Sequence, residues 1–124
     1  MFDVLEHFES PDEMLKKAYD MLNPGGHLYV QVPNVLGAKL PYGHGLGLPY
    51  HLWQFDPQSL KRLLSKRYEV LAHWTGVQGV IGEYEKGGPS LYKRIIWQLA
   101  KVTGRGNRLQ MIAKRSEASQ NSHV

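Results

Sequence analysis

The chain has 124 residues, 42% hydrophobic and 21% charged, which fits one globular domain with a modest core and excludes a disordered class. No apolar run approaches the roughly 20 residues of a spanning helix, and Asp3, Glu6 and Glu9 stand where a signal peptide would be basic and apolar, so a cytoplasmic location and no membrane partner are expected. The absence of cysteine excludes disulfides, thiolate chemistry and Cys-bound zinc, and a mild net charge of +4, spread over several helix faces, does not make nucleic acid the expected partner.

In chain order, Phe2, Val4 and Leu5 suggest the last residues of a strand whose beginning is missing. A helix should follow, with Ser10 as cap, Pro11 in its first position and Glu13 completing a Ser-x-x-Glu box. Its apolar stripe is Met14, Leu15, Ala18, Met21 and Leu22. Pro24, Gly25 and Gly26 close that helix, and from His27 the pattern switches to period two, with Leu28, Val30 and Val32 on one side. Pro33 and Asn34 end this strand. Val35 to Trp53 reads as a long irregular connection, of a length that in compact domains is usually functional or mobile. Asp56 and Pro57 open a second helix that buries Leu60, Leu63 and Leu64 and keeps Lys61, Arg62, Lys66 and Arg67 wet.

Tyr68 to Thr75 should be a strand, with Val70, Ala72 and Trp74 alternating against Leu71 and His73. Beyond a Gly-rich connection, Leu91, Ile95, Ile96, Leu99 and Val102 mark the core-facing stripe of a third helix from Ser90. Arg108 to Lys114 gives a last strand through Leu109, Met111 and Ala113. Residues 1–115 are expected to form the folded part and 116–124 a disordered polar tail. The order is that of an α/β domain which begins part-way through its sheet.

Several motifs bear on chemistry. Gly43, Gly45 and Gly47 resemble a nucleotide-binding glycine loop, but prolines flank the run and no helix starts directly after it. Ser90-x-x-Lys93 sits on a helix with no partner motif and is read as chance. Asp3, Glu6 and His7 would lie at the carboxyl end of a strand, where α/β proteins bind ligands. There Asp3 and His7 could orient a substrate or accept a proton; equally, Glu6 and His7 could begin a solvated loop. His51, Trp53 and Phe55 are either a substrate wall or a packing anchor for the long loop.

Taken together, Phe2-Asp-Val-Leu-Glu-His7, Ser10-Pro11, Leu22-Asn-Pro-Gly-Gly-His-Leu-Tyr-Val-Gln-Val-Pro-Asn34 and His51-Leu-Trp-Gln-Phe55 resemble the C-terminal half of a class I S-adenosylmethionine-dependent methyltransferase, of the group that includes quinone methyltransferases. The resemblance implies a partial Rossmann-like fold with strands four to seven and their flanking helices. The last strand would run antiparallel between the two before it. It further implies S-adenosylmethionine as cofactor, with Phe2 and Asp3 beside its methionine part and His7 as the catalytic residue nearer the acceptor. Asn34, His51 and Trp53 are the candidate contacts to a small-molecule acceptor. Related enzymes with a Glu-x-x-Glu-His version bind a divalent metal, which Asp3-x-x-Glu6-His7 could echo, although no metal is assigned here. The family's glycine-rich loop and ribose-binding acid belong to strands that this sequence lacks, so activity should require a complementing N-terminal half. The alternative is a non-catalytic subunit or remnant that self-associates or pairs through its sheet edge.

Overall fold

A computed structural model of the chain describes residues 1–37, 52–78 and 86–117. Helix α1 (Pro11–Met21) starts as its local chemistry demands: the extended Ser10 accepts the Glu13 N–H on its hydroxyl at 3.3 Å. Its end differs from expectation. Leu22 leaves the helix in an extended conformation, and the glycines act afterwards, in the turn Asn23–Gly26, which the Gly26 N–H closes onto Asn23 O at 2.8 Å. Pro24 takes the second position of that turn and Gly25, at φ 73°, the third, where a positive φ is required.

Strands β1 (His27–Pro33), β2 (Tyr68–Gly76) and β3 (Arg108–Arg115) form a sheet in the order β1-β3-β2. Strand β3 is antiparallel to both neighbours, so β1 and β2 run parallel to each other. On the far side of β1, Asp3 N–H donates to Gln31 O at 2.8 Å and Gln31 N–H to Met1 O at 2.9 Å, a short parallel pairing around Phe2. The placement of β3 agrees with what the resemblance implies. The strand end expected to reach His7 is shorter: only Met1 to Asp3 pair, because Asp3 turns the backbone at φ 48° and Leu5–His7 forms a 3-10 turn.

One face of the sheet carries the core. Val30, Val32, Leu109, Met111 and Ala113 are fully buried there with Leu5, Leu15 of α1, and Leu60 and Leu64 of α2 (Pro57–Leu64). Helix α2 has a complete capping box between Asp56 and Ser59, and its end is tied to the start of α1 by Arg67, whose two guanidinium nitrogens donate to the Asp12 carboxylate at 2.6 and 3.2 Å. The sequence reading had left Arg67 on the wet face.

Three apolar assignments need correcting. On α1, Met21 is 85% exposed and Tyr19 turns inward in its place, stacking edge-on against Tyr68 and donating to Ser116 O at 2.7 Å. In β2 the register shifts between Val70 and Ala72, so Val70 faces the core with Ala113 while Ala72 and Trp74 face the other side with Ile112 and Gln110. Helix α3 (Leu91–Val102) buries Trp97 and Ala100, and leaves Leu91, Ile95, Leu99 and Val102 exposed. It is placed there by its C-terminal turn, which Thr75 and Asn34 hold by hydrogen bonds. Of the expected tail, Ser116 is held by Tyr19 and Arg67, and 118–124 lie outside the described residues.

Candidate functional site

The carboxyl ends of β1 and β2 and the start of β3 meet at one edge, since Pro33 pairs with Arg108 and Arg108 with Gly76. Asp3 reaches this edge from the N-terminal segment. Its Oδ2 accepts from Gln31 Nε2 at 3.1 Å and lies 3.7 Å from Arg108 Nε. Gln31 in turn accepts from Gln110 Nε2 at 3.3 Å. The result is a polar row, Asp3–Gln31–Gln110, with the Arg108 guanidinium beside its acidic end. Two buried atoms of this row, Asp3 Oδ1 and Arg108 Nε, have no hydrogen-bond partner among the described residues. One is an acceptor and the other a donor, each carrying charge, and a buried charged group without a partner is costly.

Phe2, assigned with Asp3 to the cofactor, is 64% exposed and packs its ring at 5.2 Å from Tyr29. Glu6 is buried, and its Oε1 lies 3.6 Å from Nε2 of the half-exposed His7. The Glu6 carbonyl receives the N–H groups of Leu52 and Trp53 at 2.9 and 3.2 Å, which ties the end of the long connection to the 3-10 turn. His7 is therefore held on an accessible turn beside an acidic side chain, which suits a proton acceptor. Among the described residues no three His, Asp or Glu side chains converge as a set of metal ligands.

The candidate acceptor contacts separate. Asn34 is 3% exposed, and both its amide protons are engaged, donating to Gly104 O at 3.1 Å and Gly106 O at 2.8 Å. Its Oδ1 accepts the Leu36 N–H at 3.3 Å, so its side chain pins the loop before β3 against the end of β1. Trp53 donates its indole N–H to Glu9 O at 3.3 Å and lines a groove of about 470 Å³ between the start of α1 and α2, with Ser10, Phe55 and Lys66. Asp3, His7 and Asn34 do not line that groove. His51 and the glycine run from Gly43 to Gly47 lie outside the described residues. The sequence reading missed Gln31, Gln110 and Arg108. The two glutamines read as ordinary outward strand positions, and only the β1–β3 register sets them opposite each other.

Fold and site together define an α/β domain with a charged polar row where the parallel strands end, the edge at which such sheets take ligands. A family model described as a methyltransferase domain matches residues 1–70, more than half of the chain. The chain belongs to this methyltransferase family. No curated protein matches it.

Proposed function

We propose that this chain takes part in S-adenosylmethionine-dependent methyl transfer to a small-molecule acceptor and holds the amino-acid end of the cofactor. The observation that carries this reading is the unpartnered pair at the strand ends. An acidic acceptor, Asp3 Oδ1, and a cationic donor, Arg108 Nε, match the ammonium and carboxylate of an α-amino acid. The residues thus fit that end of the cofactor. When bound, the cofactor supplies a methyl group on a sulfonium, open to in-line attack. Asp3 and Arg108 would fix its orientation, Gln31 and Gln110 would hold Asp3 in place, and His7 would take the acceptor's proton. A glycine-rich loop and a ribose-binding acid are assigned to a complementing N-terminal half, which would continue the sheet beyond Met1 to Asp3.

A second reading, a subunit that pairs through its sheet, is favoured by one observation. Phe2, Tyr29 and Trp74 form an aromatic row on the face opposite the core, with centroids 5.2 and 6.1 Å apart and Phe2 and Trp74 largely exposed. Calorimetric titration with S-adenosylhomocysteine separates the two. Saturable heat, weakened at least about tenfold by Asp3→Asn, is the expected result. No saturable heat at millimolar ligand, with a concentration-dependent dimer in sedimentation, would replace the first reading with the second.

A further inference from the structure

Helix α3 presents its apolar stripe to solvent. Leu91, Ile95, Leu99 and Val102 are between 52% and 76% exposed, with Tyr92 at 65% beside them. At 100° per residue these five side chains span about one third of the helix circumference, while the packed Trp97 and Ala100 lie on the opposite side. Along one flank of the stripe stand Gln98, Arg94 and Lys101, all exposed. Lys86 and Arg105, also exposed, lie just beyond the two ends of the helix. The sequence from Lys86 to Ser116 contains no acidic residue.

We propose that α3 docks this face on an anionic lipid surface, lying in the plane of the interface. An apolar arc bordered by cations is what a bilayer's acyl boundary and its phosphate layer accept together. A second copy of the chain would bring Arg94 and Lys101 against their like-charged counterparts, which opposes pairing through α3. Nucleic acid would engage the cations and leave the stripe in water. The earlier expectation of no membrane partner rested on spanning length, and that length is indeed lacking: 12 residues rise roughly 18 Å, against about 30 Å of hydrocarbon. Surface docking needs only the face. Because Asn34 fastens the turn after α3 to the end of β1, the docked surface would lie on the same side of the sheet as the strand ends.

The test is co-sedimentation of the full chain with phosphatidylcholine vesicles, with and without phosphatidylglycerol. Binding should appear with the anionic vesicles, weaken as salt rises, and fall at least about tenfold in Leu99→Asp and in the double variant Arg94→Glu, Lys101→Glu. All three side chains are exposed, so thermal unfolding of the variants should match the parent and separate lost docking from lost folding. Absence of binding to either vesicle overturns the proposal, as does binding that Leu99→Asp leaves unchanged. A dimer in sedimentation equilibrium that Leu99→Asp dissolves would assign the stripe to a protein instead.

Discussion

At the scale of single residues, the core holds its polar groups by satisfying them, and Tyr68 shows the consequence. It is 4% exposed, and its hydroxyl donates to Leu15 O at 2.7 Å. Burial pushes its pKa up from 10.0 to about 12. A raised value means that the folded state retains the proton. The stability this contributes is complete below pH 10 and is lost as pH climbs toward about 12. Tyr68→Phe should therefore cost about 1 kcal/mol at neutral pH and lose less stability than the parent above pH 10. Denaturant midpoints at pH 7, 10 and 11.5 would show whether the two curves converge. Asp3 is the opposite kind of residue, with a backbone at φ 48° and one unpartnered carboxylate oxygen, features expected at a ligand contact and not in a core.

At the scale of elements, local chemistry decides where helices begin, and tertiary packing decides which side they bury. The cap residues Ser10, Asp56 and Ser90 were all legible in the sequence, because a cap is a matter of a few neighbouring atoms. Asp56 accepts the Ser59 N–H at 2.7 Å, and this hydrogen bond holds its carboxyl below the usual range. Asp56→Ala should destabilise by about 1 kcal/mol, an effect that shrinks as pH falls below 3.8 and the parent's own carboxylate is protonated. Calorimetric unfolding at pH 7 and pH 3 measures that difference. The buried side of α3 was not legible. Periodicity identifies an apolar stripe without saying that the chain will bury it, and here Trp97 and Ala100 pack while the stripe remains in water. The bulge in β2 was hidden for a related reason, since alternation in sequence assumes an unbroken register.

At the scale of the whole molecule, the α/β class and the order of elements could be read from helix and strand periods. The polar row could not, because it depends on which strands pair and in what register. Its frame is the junction where Asn34 N–H donates to Asn107 O at 3.0 Å and the chain passes so close that a Cβ on Gly37 would stand 2.5 Å from Asn107 Cα. Gly37→Ala should thus cost roughly 1–3 kcal/mol, read as a lowered denaturant midpoint. An unchanged midpoint would mean that the junction yields easily and does not fix the strand ends. The central claim is that those ends hold the amino-acid part of the cofactor through Asp3 and Arg108. Amide chemical-shift mapping by NMR during titration with S-adenosylhomocysteine tests it most directly, since it registers even weak binding and reports where it occurs. The account predicts saturable shifts at Phe2, Asp3, Gln31 and Arg108 that disappear in Asp3→Asn; shifts confined to the Trp53 groove, or none that saturate, would contradict it.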